Sequence, residues 1–402
     1  MAGSLALAAG AIAGVADARI PAMCQSRLKR WFPFSCWLGV PLRAGDGGAF
    51  LRSRKRSGLG SLKVPGGGAM KGSLGLVFAV ALGSAVVVSL TMPATAATFE
   101  TFDVPGGTET EPAAMNTGEI TGFYRAQDGS TEGFFYFPLG GTFATFQVKN
   151  SPSTRPLAIN RAGLVTGTFV KNSVFCFLLN GSGKAISCGP LEAVSSAGVS
   201  INRSDEICGT FTDSTPEDHG FVWDKNNGAT EFDPPGSTFT DCASINDNGD
   251  ATGAWEDANG NIHAYVRASN GAFTEFDVPG ASGTFADAIN VSGTVAGIWD
   301  DQFGGHHGFV QDALGNITVF DPKGSISLSG EGVRMNKKGV VTGSWFDSVG
   351  KEHGFVRQPG GKITSFDVPG ATDTFAEAID DNGHITGSFV DANGLHGFIR
   401  SP

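Results

Sequence analysis

One short phrase occurs seven times in this chain at a nearly constant interval. It runs as an apolar residue, Asn or Asp, two variable residues, usually Gly, and then an apolar run ending in Gly. The copies sit at Met115-Asn116, Ile159-Asn160, Ile201-Asn202, Ile245-Asn246, Ile289-Asn290, Met335-Asn336 and Ile379-Asp380, with spacings of 44, 42, 44, 44, 46 and 44. A period of that length marks a repeat architecture, in which each unit buries its apolar face only by stacking on its neighbours.

Each phrase lies in a longer unit. Upstream stands Phe-Asp-Val-Pro-Gly or a variant, at Phe102, Phe146, Phe232, Phe276, Phe320 and Phe366, with Cys188 in that place in the third unit. Downstream comes Gly, any residue, then an aromatic: Tyr124, Phe169, Phe211, Trp255, Trp299, Trp345 and Phe389. Most units close on His-Gly-Phe or a relative, such as His219-Gly220-Phe221. Read as structure, a unit gives four short strands, which in the last copy cover 363–368, 374–379, 384–390 and 395–400. Asp381-Asn382-Gly383 supplies the hairpin between the middle two, since Asn and Gly both accept positive φ.

Four strands in about 44 residues is the size of a propeller blade. The expectation is an all-β, seven-bladed β-propeller over 98–402. The strand beginning at Thr98 completes the last blade, so that the ring seals without a free edge. An open β-solenoid is the alternative, but it calls for polar capping units, and the terminal repeats look ordinary. Composition agrees: 59 Gly among short aromatic and β-branched runs describe a turn-rich β protein.

The units resemble the bacterial HAF extracellular repeat family, whose signature joins His-Ala/Gly-Phe to an Ile-Asn-x-x-Gly turn; His263-Ala264-Tyr265 is similar to the motif behind the name. The resemblance covers essentially all of 98–402 and departs at Glu132-Gly133-Phe134 and Phe175-Cys176-Phe177. It implies export and a propeller-like repeat, and it carries no catalytic residue.

Ahead of the repeats, Met70-Lys71 opens an apolar stretch, Leu74 to Met92, that ends in Pro93-Ala94-Thr95-Ala96-Ala97. A positive charge, a short apolar core and small residues at −3 and −1 describe a secretory signal peptide over 70–97 rather than a membrane anchor. Residues 1–69 then read as a misassigned start or a disordered basic extension. The mature chain is expected outside the cytoplasm, secreted or periplasmic, as a monomer. It carries 17 basic and 37 acidic residues, a balance that argues against nucleic acid and anionic lipid, because binding either requires Lys and Arg clusters.

The candidate ligand platform is Trp255, Trp299 and Trp345 with Asp257, Asp301 and Asp347 two residues on. Indole faces beside carboxylates offer a sugar both stacking and hydrogen bonds. The competing and favoured reading is that these aromatics pack between blades, since all seven units place one there. His219, His263, His307, His353 and His396 fall at equivalent positions. They read as packing residues that donate to neighbouring backbone, because a ring of equivalent positions spreads the imidazoles too far apart to share one metal. Asp257-Ala258-Asn259-Gly260-Asn261 opens like a calcium loop but has Ile262 where the turn Gly belongs and Ala268 where the acid belongs. No zinc-protease, nucleophile-elbow or phosphate-loop motif is present, and no cofactor is implied. Cys176 and Cys188 flank the turn at 180–184 symmetrically, which predicts a cross-strand disulfide. The functional expectation is an exported, non-catalytic binding or structural module with an unknown extracellular ligand, a glycan among the candidates. The alternatives are a lectin or adhesin, and a polysaccharide-acting propeller enzyme that uses paired carboxylates.

Overall fold

A computed structural model describes residues 97–402; the signal-peptide reading of 70–97 (but for Ala97) and the reading of 1–69 lie outside the described residues. Apart from one short 3-10 turn, Pro138–Gly140, the described secondary structure is all β. Among those residues no helix is long and apolar enough to cross a membrane.

The strands form antiparallel four-stranded sheets in simple order. Thr110–Met115, Ile120–Arg125, Thr131–Phe137 and Thr142–Phe146 make one; Thr154–Ile159, Val165–Val170, Val174–Leu179 and Ala185–Ser187 make the next. In every sheet the first strand carries the Asn or Asp phrase at its end. First strands of successive units touch one another, whereas the fourth strand is largely exposed. First strands are therefore innermost and fourth strands outermost, which is a β-propeller.

Sheet and sequence unit are offset by one strand. Ile363–Phe366, which opens the last sequence unit, pairs with Glu352–Arg357 of the unit before it. In the same way Thr98–Phe102 pairs with Gly394–Ser401, from Thr98↔Ser401 to Phe102↔Gly397. The described chain's first strand is thus the fourth strand of its last sheet.

The hydrogen-bonded ladders number six rather than the seven expected: five of four strands and one of nine. In the nine-stranded sheet the fourth and fifth units are joined by one parallel pair, Ile262↔Gly283. The same touch appears elsewhere only as the isolated bridges Glu109↔Leu395 and Thr131↔Ser153. The fourth unit's inner strand is also broken, into Phe239–Thr240 and Ser244–Ile245. At the break Asp241 Oδ1 takes the Ala254 N–H at 2.6 Å, and Cys242 is tied to Cys208.

The core is built by the repeated aromatics. Phe134, Phe177, Phe221, Tyr265, Phe309, Phe355 and Phe398, the last residues of the His-Gly-Phe triplets and their variants, are fully buried. Where a Gly precedes them, in five of the seven units, packing leaves little room for a Cβ. A Cβ at Gly354 would lie 2.5 Å from the Phe366 ring, and one at Gly397 would lie 2.6 Å from Phe102. In those units the outer-strand Phe lies across the preceding strand's Gly, and in the fourth unit Phe276 lies across Ala264 instead. In the second sheet that Gly/Phe pair is replaced by Cys176 and Cys188, which form the expected disulfide. A second one, Cys208–Cys242, ties the third unit to the fourth.

The Asn-Gly turns differ from expectation. Gly383 has φ +88°, but Asn382 is not in the positive-φ region, so the turn is not the mirror-image hairpin. Instead Gly383 N–H reaches Asp380 O, and Asp380 N–H reaches His384 O. That is a three-residue loop with Gly at its left-handed position. Asp205, at φ +66°, fills that position in the third unit. The phrase's Asn or Asp holds the loop shut. Asn160 Oδ1 accepts from Ala162 and Leu164 N–H, and Asp380 Oδ1 from Asn382 and His384 N–H.

Candidate functional site: a repeated cluster and a single polar pocket

Two arrangements of polar side chains stand out, one repeated and one single. The repeated one sits where each second strand ends and each third begins. The third-strand His is clamped between two carboxylates. Nδ1 of His219, His263, His307, His353 and His396 meets Asp233, Asp277, Asp321, Asp367 and Asp103 at 2.7 to 3.1 Å. On the Nε2 side lie Asp213, Asp257, Asp301, Asp347 and Asp391, at 3.2 to 3.8 Å. The imidazole stacks on the second-strand aromatic, with centroids 4.9 Å apart for Trp255–His263, 4.6 Å for Trp299–His307 and 4.5 Å for Trp345–His353. The histidines thus pair with aspartates and not, as expected, with backbone. The partner Asp comes from the Phe-Asp-Val-Pro phrase, whose strand lies beside the His.

The six residues of the sugar platform are all in this cluster. Trp255 and Trp345 are buried (7% and 6% exposed) and Trp299 is partly buried; all three pack into inter-strand apolar clusters while one ring face is covered by imidazole. Asp257 accepts from the Asn259 and Asn261 backbone and side-chain N–H groups, and these bonds hold its carboxyl well below the ordinary range. Asp301 and Asp347 likewise accept from their loops' N–H groups and are lowered, Asp347 against the opposing effect of burial. The aromatic faces are thus engaged by their own units, as packing requires, and a saccharide stacking on them would have to displace the imidazoles. Burial works to lower the pKa of His219, but Asp233 and Asp213 outweigh it, and the imidazole is raised.

The single arrangement lies between the innermost strands of the sixth and seventh units. The sixth unit's inner strand, Ser327–Met335, slips register between Leu328 and Val333, where other units slip by one residue, as between Ala286 and Ala288. The extra length is the 46-residue spacing seen in the sequence. It bows Ser329-Gly330-Glu331-Gly332 out of the ladder and opens a small polar pocket, lined by Ser329, Glu331, Arg334, Ser344, Glu352 and Glu377 with the Gly332 and Ala376 backbone. Ser344 Oγ accepts the Ala376 N–H at 2.9 Å, and Asp373 Oδ1 accepts the Glu352 N–H at 3.0 Å, which ties the two units across it.

Two of the pocket's carboxyls, Glu352 and Glu377, are raised. Burial pushes Glu352 up to about 7, with the Ser329 hydroxyl opposing and Glu377, Asp373 and Glu331 adding repulsion. Glu377 is raised by burial against the pull of Arg334; its carboxyl is enclosed although the residue keeps some surface. Across the next junction, burial raises Glu111 of the first unit to about 7, with Arg155 and Arg125 opposing and Glu109 and Glu377 reinforcing. The sequence pattern singles out none of these groups, because they sit at positions (inner-strand for Glu111 and Glu377, third-strand for Glu352) whose residues differ from unit to unit. The one available signal was the long spacing with its Gly-Glu-Gly insert.

Comparison with solved structures agrees on the fold. The chain is similar to the β-propeller domain of the trilobed protease from Pyrococcus furiosus, described as having an open velcro topology (TM-score 0.55, 10% identity, 73% of this chain and 95% of that one). It is also similar to a Mycobacterium tuberculosis puromycin-hydrolysing peptidase (TM-score 0.54, 15% identity, 72% and 50%) and to a prolyl endopeptidase (TM-score 0.53, 11% identity, 71% and 47%). The chain spans about half the length of those two peptidases. No family model matches, and no curated protein matches.

Proposed function

We propose that residues 98–402 form a seven-bladed, ring-closed propeller that works outside the cytoplasm as a non-catalytic binding module, with the pocket between the sixth and seventh units as its binding site. In this reading the nine-stranded sheet counts as two blades that touch edge to edge, and the 98–102 strand seals the ring. The two disulfides support an oxidising compartment. The observation that carries the binding reading is the break in repeat symmetry at 329–332. A scaffold repeats its polar groups, whereas a site is single, and the bowed strand places donors (Arg334, Ser329) beside acceptors (Glu331, Glu352, Glu377) in one concave spot. The spot is only large enough for a water-sized group, so it suits a single hydroxyl of a larger polar ligand lying against it, and a glycan stays among the candidate classes. A glycan array on purified residues 98–402 tests it, with Arg334→Ala as the site control. Saccharide binding that the substitution abolishes supports the site, and binding indifferent to it moves the site elsewhere.

A polysaccharide-acting enzyme is the second reading, favoured by one observation: Glu352 holds its proton near neutrality beside other carboxyls, as a general acid must. Release of reducing sugar by the native chain, lost in Glu352→Gln, would put this reading first.

A further inference from the structure

The sixth, seventh and first units bring six carboxyls (Glu331, Glu352, Asp373, Glu377, Glu109 and Glu111) to their two junctions, against three arginines (Arg334, Arg125 and Arg155). Facing Glu352, on the third strand of the sixth unit, are Glu331 and Arg334 from that unit's inner strand and Asp373 and Glu377 from the seventh's. Facing Glu377 are Arg334 and Glu352 of the sixth unit and Glu111 of the first. Facing Glu111, on the first unit's inner strand, are Glu109, Arg125 of the adjacent strand, Arg155 of the second unit and Glu377. Burial disfavours charge on each, and each carboxylate that forms makes the next harder to form. Polar bonds across the sixth–seventh junction include Ala376 N–H to Ser344, Glu352 N–H to Asp373, Asn336 Nδ2 to Asp380 O and Lys337 N–H to Asp381.

We propose that the seam where the seventh unit meets the sixth and first is a pH-sensitive joint. It is tight when Glu111, Glu352 and Glu377 are protonated and loosens as they ionise. It would let the inner strand at 373–379 shift while the rest of the propeller stays packed. The inference stands apart from any ligand in the pocket and is read on the unliganded chain.

The direction follows from proton linkage. The folded carboxyls hold protons that the unfolded chain loses near the ordinary Glu value. For Glu111 and Glu352 the stabilising effect is therefore fully present below about 4.5 and is lost as pH rises through about 7, and Glu377 acts in the same direction. His219 contributes with the same sign, since its raised imidazole also favours the folded state only while protonated, so pH dependence of the native chain alone does not decide the matter.

The experiment compares residues 98–402 with Glu111→Gln/Glu352→Gln and with His219→Gln, following melting temperature and amide exchange from pH 4.5 to 8. Exchange is corrected for its intrinsic pH dependence. In the native chain, protection at 374–379 should fall at least tenfold more than protection at 295–300 as pH rises through 6 to 7. The double Glu variant should flatten both that loss and the melting curve, while His219→Gln leaves the local loss intact. Equal loss at the two strands, or a local loss that survives in the Glu variant, overturns the proposal. Should the double variant fail to fold, Glu352→Gln alone must reduce the local loss, and no reduction overturns it as well.

Discussion

At the scale of single residues, the repeated side chains each make two kinds of contact at once. The phrase's Asn closes its own loop with Oδ1 and donates Nδ2 to the next unit's Asn carbonyl. Asn116 reaches Asn160 O, Asn160 reaches Asn202 O, Asn202 reaches Asn246 O, Asn246 reaches Asn290 O, and Asn336 reaches Asp380 O, at 2.9 to 3.2 Å. Asp380 keeps the acceptor and lacks the amide. Asn336, whose Nδ2 donates only to the Asp380 carbonyl, gives the clean test: Asn336→Asp should fold, with its loop intact, but lose about 1–2 kcal/mol by leaving that buried carbonyl without its donor. Asn336→Ala should lose more, and urea denaturation of the pair separates the two roles. Trp345 tests packing: it is buried against the sixth unit's apolar cluster and stacked on His353. Trp345→Ala should cost about 3–5 kcal/mol, and an unchanged melt would overturn the packing assignment.

Elements were legible wherever neighbouring units agree, because packing between identical neighbours forces identical residues. The strands, the aromatic packing slots and the Cys176–Cys188 link could all be read by laying one unit over another. Contacts that run from one unit to the next were not legible. The aspartate partners of the histidines lie in the next sequence unit, across the one-strand offset, and the Cys208–Cys242 link crosses units as well. The polar pocket escaped because its residues have no counterparts to be compared with.

The disulfides give this scale its prediction. Closing loops of 12 and 34 residues, they should contribute about 3 and about 4 kcal/mol in the chain-entropy model. Cys208→Ser/Cys242→Ser should accordingly lower stability more than Cys176→Ser/Cys188→Ser. Because Cys176 and Cys188 stand where five other units carry Gly under Phe, Cys176→Gly/Cys188→Phe should recover part of the loss. Thermal unfolding of the three double variants gives the order, and a Gly/Phe variant no better than the Ser one would show that the site has diverged from the repeat.

For the whole molecule, the strand at 98–102 is the decisive element. Phe102 is buried over Gly397, and Asp103 pairs with His396, the same contacts other fourth strands make within their sheets. Deleting 98–103 should leave that Gly and His uncovered and expose a sheet edge. Unfolding should become less cooperative, and association should rise with concentration. Calorimetry with light scattering checks both, and a monomeric, equally cooperative truncated chain would show that the last sheet stands without its borrowed strand.

That borrowed strand also leaves Thr98 and Ser401 as register partners on neighbouring strands. A short linker could join them, and the chain could be reopened at another outer-to-inner crossing, for instance between Gly370 and Ala371, without cutting a strand. In the proposed closed ring, the order of the units along the chain is separate from how the sheets are held. Circularly permuted forms of this propeller should reach the same structure by a different order of synthesis.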